Sequence, residues 1–183
     1  MIGTKIGKSI AIALTVLAVV VAAAYLVQRF RAKGPAEVQP VSEEMRAVTI
    51  FFGNHEADGF ASETREVPVA QGFEAQVKLV LAELIKGSHD SDNISAIPQG
   101  TELIQVFWVE DTQTLLLDFN KAFTANHPGG STGEYYTISN IIKTVSANFP
   151  QVARVQFLVE GNTIESIAGH YEADRPIEVK KWR

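Results

Sequence analysis

Residues 125–149 read ANHPGGSTGEYYTISNIIKTVSANF, a polar turn that runs directly into an amphipathic helix. Asn126, Pro128 and the pair Gly129-Gly130 favour a turn, because the amide bonds locally, proline fixes φ and glycine allows positive φ. The apolar residues that follow have the spacing of one helix face; they are Ile138, Ile141, Ile142, Val145 and Phe149. Such a face must be covered by another element, so this helix predicts where the core lies.

The start of this helix carries a second pattern. Ser131 and Glu134 have the spacing of a capping box, in which each side chain bonds a backbone N–H at the helix start. We therefore expect Ser131 to cap the helix and Glu134 to supply the local acidic group. The free N–H groups of the turn would also suit an anion, which is a weaker alternative.

The length and the charge of the chain limit the class of protein that it can be. A chain of 183 residues suits one domain with an appendage. All 21 acidic residues follow Lys33, whereas five of the 16 basic residues lie at or before it, so residues 34–183 carry a net charge of −10. An acidic body repels phosphate backbones, which disfavours nucleic-acid binding. The absence of cysteine excludes disulfides, thiolate metal sites and lipid attachment through cysteine.

The N-terminal segment predicts a membrane anchor. Residues 9–27 contain no charge and are flanked by basic residues on both sides. About 20 such residues span a bilayer as a helix. The alternative is a signal peptide cut after Ala24. We expect an uncleaved single-pass anchor in a bacterial cytoplasmic membrane, with the C-terminal domain outside the cytoplasm.

The rest of the chain predicts an α+β domain in which two helices pack on a β-sheet, in the order β-β-α-β-β-α-β-β. A helix over residues 73–86 would bury Val77, Val80, Leu81 and Leu84 and end at Gly87. Residues 1–33 form the predicted anchor, 34–45 a linker, 46–172 the domain and 173–183 a tail. The predicted strands alternate or are rich in β-branched residues; they cover residues 46–52, 63–69, 101–109, 114–119, 152–160 and 163–167.

Six short segments, in order along the chain, resemble the GerMN domain of sporulation and spore-germination proteins. They are REVPV (65–69), AIPQGT (96–101), NHPGGS (126–131), TISNIIKTV (137–145), VQFLVEG (155–161) and AGH (168–170). The match spans residues 46–172. It implies an envelope domain of α+β type, similar to the ring-building modules of secretion and sporulation assemblies, anchored by a membrane helix or a lipid. The resemblance brings no catalytic residue set.

Two arrangements could carry chemistry, and we expect neither to do so. His127, Ser131 and an acid such as Glu134 or Glu160 contain the groups of a serine hydrolase, but the chain has no G-x-S-x-G elbow. His127 and His170 could bind a metal, but the four histidines are scattered singly and form no H-x-x-x-H or H-E-x-x-H pair. The sequence therefore predicts no enzyme, no cofactor and no metal.

Because we expect no chemistry, we turn to partner binding, for which exposed aromatic side chains are the relevant signal. Tyr135 and Tyr136 cannot both face the core, and Phe107 and Trp108 must lie on opposite sides of a strand. We expect non-enzymatic self-association or docking to another envelope protein, related to sporulation, germination or the cell envelope. The alternative is a cell-wall ligand-binding or hydrolytic domain that uses the His127 turn. The candidate binding residues are Asn126, His127, Gly129, Gly130, Ser131, Tyr135, Tyr136 and His170.

Overall fold

The computed structural model describes residues 44–182, which begin one residue before the first strand. The predicted anchor and most of the predicted linker lie outside the described residues. Within residues 44–182, no helix is long and apolar enough to cross a membrane.

Three helices and seven strands make up the described domain, together with two short 3-10 turns. The helices are α1 (Phe73–Ile85), α2 (Ala122–Ala125) and α3 (Ser131–Asn148). The strands are β1 (Met45–Gly53), β2 (Phe60–Pro68), β3 (Leu103–Val109), β4 (Thr114–Phe119), β5 (Arg154–Val159), β6 (Asn162–Thr163) and β7 (Ile177–Glu178). The α+β class and the order of the main elements are confirmed.

The strands form two sheets, whereas the sequence predicted one. β1 and β2 pair as an antiparallel hairpin, and the second sheet has the order β3-β4-β5-β6, with β7 also bonded to β5. β4 and β5 are parallel, so α3 lies in the crossover that joins them. The prediction of one sheet is therefore wrong.

The edge of β1 is closed by side chains of α3, which explains the separation of the sheets. The amide of Asn148 accepts the N–H of Thr49 at 3.0 Å and donates to the Thr49 carbonyl at 2.7 Å. One helical turn earlier, the Thr144 hydroxyl accepts the N–H of Phe51 at 3.0 Å. Because these groups occupy the backbone of β1, no strand of the larger sheet pairs there.

The predicted stripe of α3 forms the centre of the core. Ile138, Ile141, Ile142, Val145 and Phe149 are each at most 2% exposed. α3 packs on β1 and α1, and α1 packs on β3. The four predicted core residues of α1 are buried as well.

The end of α1 is fixed by glycine and by an arginine from β2. Gly87 has φ of 89° and donates its N–H to the carbonyl of Leu84, as the sequence predicted for a C-terminal cap. The Arg65 guanidinium donates to the carbonyls of Glu83 and Gly87, both at 2.6 Å. Arg65 therefore satisfies carbonyls that have no partner inside the helix.

The capping box predicted for α3 is wrong. The helix begins at Ser131 itself, the N-cap is Gly130 with φ of 81°, and no side chain bonds the cap. Ser131 thus lies one position too late to cap. Glu134 is fully buried, and its carboxylate bonds a distant loop instead of the helix start.

The C-terminal part of the fold departs from the prediction in two places. The β5–β6 turn consists of Glu160 and Gly161, both with positive φ, and β6 is only two residues long, whereas we expected a strand over 163–167. The last residues also fold onto the domain, since β7 pairs with Arg154 and Val155 of β5.

Candidate functional site

The turn before α3 is held by a bond to a neighbouring loop. Gly129 and Gly130 have φ of 85° and 81°, the positive range for which the sequence predicted glycine. The Asn126 amide donates to the carbonyl of Gln99 at 2.8 Å. Asn126 therefore ties the turn to residues 94–99, which form one wall of the site.

His127 has both ring nitrogens engaged. Nδ1 accepts the N–H of Gly129 at 3.0 Å, and Nε2 lies 3.0 Å from the hydroxyl of Thr137. That hydroxyl donates to the carbonyl of Ala96 at 2.7 Å. Because Nδ1 is an acceptor, the geometry assigns the proton of a neutral ring to Nε2. Burial lowers the pKa of His127, the charge of Glu134 acts in the opposite direction, and His170 lowers the pKa further.

The side chains of a hydrolase triad are present but are not joined. Ser131 is exposed on the first residue of α3, and within the described chain the imidazole of His127 bonds Gly129 and Thr137 rather than Ser131. The Glu134 carboxylate bonds backbone N–H groups, and Glu160 lies in the β5–β6 turn. The relay from hydroxyl to imidazole to carboxylate that such chemistry needs is thus not formed by these residues.

Glu134 holds the loop that carries His170. Its carboxylate oxygens accept the N–H of Ile167 at 2.9 Å and the N–H of His170 at 2.8 Å, and the His170 ring nitrogen Nδ1 lies at 3.3 Å. Burial raises the pKa of Glu134, but backbone N–H groups of residues 167–171 outweigh burial and hold that pKa below its usual value. No local sequence pattern predicts this role, because the bonded loop lies more than 30 positions away.

A metal site at the two histidines has no support from the surrounding residues. Within residues 44–182, no group of three or more His, Cys, Asp or Glu side chains is placed to hold a metal ion. Glu134 lies beside His170, but its carboxylate oxygens already accept backbone N–H groups.

The two adjacent tyrosines point in different directions, as helical geometry requires. Tyr136 is 4% exposed and packs so closely on β1 that a methyl group at Gly53 would lie 2.9 Å from its ring. Tyr135 is 38% exposed and contacts four aromatic rings; they belong to Phe60, Tyr136, Tyr171 and Trp182. An aromatic cluster thus surrounds the first turns of α3.

Two adjoining cavities flank the start of α3, and we call them together the α3 groove. The larger measures about 470 Å³ and lies between residues 94–99 and the turn 126–128. The smaller measures about 360 Å³ and lies beside Asp58, Ser131, Tyr135 and Tyr171. Ala57, Thr132 and Tyr136 line both cavities. The groove therefore brings together most of the predicted binding residues.

A second exposed surface lies on β3. Phe107 is 47% exposed, whereas Trp108 turns inward and packs on Phe73 with ring centroids 4.9 Å apart. The opposite orientations follow the period of a strand, as predicted. Ile104 and Val109 are also more than two-fifths exposed. We call Ile104, Phe107 and Val109 the β3 strip.

The fold and its surfaces define a small α+β domain with an aromatic groove and an apolar strip. Residues 49–165 match the family model described as Germane: Sporulation and spore germination. The chain therefore belongs to this family, as the six sequence segments indicated.

Solved structures share the fold at low sequence identity. A candidate lipoprotein from Clostridium perfringens has a TM-score of 0.54 and 20% identity, over 75% of this chain and 89% of that chain. The first GerMN domain of the sporulation protein GerM from Bacillus subtilis has a TM-score of 0.52 and 16% identity, over 73% and 94%. The tandem GerMN domains of the same protein have a TM-score of 0.54 and 15% identity, over 79% and 48%. No curated protein sequence matches the chain.

Proposed function

We propose that this chain is a membrane-anchored protein of the bacterial envelope whose GerMN domain assembles with copies of itself or with another envelope protein, without catalysing a reaction. The uncharged residues 9–27 support the anchor, and the likeness to a candidate lipoprotein of Clostridium perfringens supports an envelope location. The tandem GerMN domains in one Bacillus subtilis protein fit a module that works beside others of its kind.

The β3 strip is the observation that carries this proposal. β3 is the terminal strand in the sheet order, and three large apolar side chains lie exposed along it. Exposed apolar side chains grouped on one element mark interaction surfaces more often than single ones do. An extended segment added to β3, or an apolar face laid on the strip, would bury these side chains.

Charges at the ends of β3 constrain the partner. The strand itself carries no charge, but Glu102 precedes it and Glu110 follows it. If two copies of β3 paired antiparallel about Val106, each Glu102 would face a Glu110 of the other copy, which is unfavourable. Lys78 already places a positive charge at the Ile104 end of the strand, where its ammonium donates to the Ile104 carbonyl at 2.7 Å. A partner segment with a basic residue facing Glu110 therefore fits this edge better than a second β3.

Membrane confinement supports assembly through a weak surface. Under this proposal, anchoring in the membrane raises the effective concentration of a partner in the same membrane. A strip of three side chains is a small contact, so this contribution matters to the proposed function.

Site-specific photo-crosslinking in native membranes tests the proposal. A photoreactive residue replaces Phe107, and adducts are identified by mass spectrometry. We expect adducts with the protein itself or with another envelope protein. The matched control places the same residue at Met45, which is 49% exposed at the start of β1 and lies outside the strip.

Purified protein supplies the second test. The double variant Ile104→Ser/Val109→Ser should reduce the adducts formed from position 107 in membranes and the self-association of the purified protein seen by sedimentation velocity, whereas Met45→Ser should leave both unchanged. Adducts that are equally abundant from positions 45 and 107, or a double variant that assembles like the original chain, would contradict the role of the strip.

A further inference from the structure

The α3 groove lies apart from the β3 strip, and its shape suits a ligand of its own. Its two cavities, of about 470 and 360 Å³, each lie in the range of ligand pockets, about 300–1,000 Å³. Because they share three lining residues, an elongated ligand could occupy both. A chain of at least two units fits better than one small molecule.

One wall of the groove is an aromatic platform. Tyr135 and Tyr171 line the smaller cavity, and the ring of Trp182, which is not among its lining residues, packs on both tyrosines. The rings of Tyr135 and Trp182 are stacked at 5.5 Å and 27°, and those of Tyr171 and Trp182 lie at 5.6 Å edge to face. These mutual contacts hold the tyrosine rings in place. A fixed aromatic face suits a ligand that has an apolar face of its own.

Polar groups beside the platform offer both acceptors and donors. The Asp58 carboxylate accepts the Asn54 amide at 2.7 Å, and the Asp58 N–H donates back to Asn54 at 3.1 Å, so its position is fixed. Ser131 and Thr132 place exposed hydroxyls on the same cavity. Ligand hydroxyls can donate to the carboxylate and exchange bonds with the serine and threonine hydroxyls.

The charge of the groove disfavours anionic ligands. Among the described residues that line the two cavities, none is lysine or arginine, and Asp58 is acidic. A phosphate or a uronic acid would thus find no counter-charge there. The larger cavity adds apolar side chains that suit a methyl group; they belong to Ile94, Ala96, Ile97 and Pro98.

We propose that the α3 groove binds a neutral glycan built from N-acetylated amino sugars. The C–H face of one sugar ring packs on Tyr135 and Tyr171, and ring hydroxyls bond Asp58 and Thr132. The acetyl group of the next sugar enters the apolar cavity beside Ile97. This site does not depend on the β3 strip, so either proposal can fail without the other.

Fluorescence titration tests the site, because Trp182 packs on both tyrosines of the platform. The chain has two tryptophans, and Trp108→Phe leaves Trp182 as the single reporter. The full chain, held in a detergent without a sugar headgroup, is titrated with the tetramer of N-acetylglucosamine. We expect a saturable change in emission. Tyr171→Ala and Asp58→Asn should each weaken binding about tenfold, whereas Phe107→Ala on the β3 strip should not change it.

Three comparisons make the test decisive. Tyr171→Phe keeps the ring and should bind like the original chain, and thermal unfolding of every variant separates loss of binding from loss of fold. The glucose tetramer, which lacks acetyl groups, should bind at least several-fold more weakly. Trilysine, a cationic peptide, tests whether the groove selects positive charge through Asp58 instead of a sugar. The proposal is overturned if the glucose tetramer binds equally well, if trilysine binds more tightly, or if the acetylated tetramer gives no saturable change.

Discussion

Glu134 joins the first turn of α3 to the loop at residues 167–171. Its carboxylate is fully buried, lies in the first turn of the helix and accepts N–H groups from the loop at residues 167–171. A negative charge at this end of a helix is also favourable for the helix dipole. One side chain thereby fixes the positions of His170 and Tyr171 relative to α3.

Glu134→Gln should destabilise the domain, whereas Ser131→Ala should not. The glutamine amide turns an acceptor into a donor that faces backbone N–H groups, so we expect a loss of about 1.5–3 kcal/mol. Ser131 is exposed and makes no cap bond, so its replacement should change the free energy of unfolding by less than about 0.5 kcal/mol. Urea denaturation measures both. A larger loss of stability for Ser131→Ala would show that Ser131 does cap the helix, as the capping-box prediction had it.

Residue-scale reasoning from sequence succeeded where the signal was local. The positive φ at Gly129 and Gly130 follows from turn chemistry, and the opposite orientations of Phe107 and Trp108 follow from the strand period. The partner of Glu134 could not be predicted, since a capping box and a long-range carboxylate contact have the same local sequence. Only tertiary packing separates the two.

At the scale of elements, α3 acts as a substitute for a neighbouring strand. Four residues of helix advance about 6 Å and two residues of strand about 6.6 Å. Asn148 and Thr144 therefore align with Thr49 and Phe51 in turn. Asn140 is next in this series, but the neighbouring Gly53 pairs with Ile94 instead. Within the described chain, the buried amide of Asn140 has no hydrogen-bond partner.

Alanine at Asn148 and at Asn140 should have different effects. Asn148→Ala removes both bonds to Thr49 and leaves its N–H and carbonyl without these partners, so we expect a loss of about 1–3 kcal/mol. Asn140→Ala removes a buried amide that bonds nothing and adds a better helix former, so we expect a change within about 1 kcal/mol. Chemical denaturation of both variants checks this; equal losses would contradict it.

The sequence predicted the elements well and their assembly less well. The long helices α1 and α3 and the longer strands have strong periodicity, and their bounds agree with the structure to within about three residues. The four-residue helix α2 was not predicted, because it is too short to show a period. The division into two sheets depends on polar side chains of α3, which periodicity does not report. β7 has only two residues, Ile177 and Glu178, too few to show a pattern.

For the whole molecule, the partly buried carboxylate of Glu63 and the buried carboxylate of Glu134 make stability depend on acid. Burial raises the pKa of Glu63, but hydrogen bonds from Ser88 and Arg65 outweigh burial and lower the pKa from 4.5 to about 2. The pKa of Glu134 is also lowered. A carboxyl group whose pKa falls on folding stabilises the folded state above its unfolded pKa. That stabilisation disappears as the pH falls through the folded value.

We therefore expect the melting temperature to fall steadily as the pH decreases from about 4.5 to about 2. Glu63→Gln should lower stability at neutral pH and make the acid dependence shallower. The matched control is Glu66→Gln, an exposed position on the same strand, which should leave the slope unchanged. Calorimetry across this pH range measures the melting temperature of each variant. If the melting temperature of Glu63→Gln falls with pH as steeply as that of the original chain, the prediction is wrong.

The closed edge of β1 also determines how the domain bears mechanical load. Any pull that reaches the domain through the preceding chain arrives first at β1, which begins at Met45. β1 is bonded to β2 along its whole length on one side and to Asn148 and Thr144 on the other. Both rows of bonds must shear together before β1 can leave the domain, so tension is shared between a hairpin and a helix instead of opening the hairpin alone.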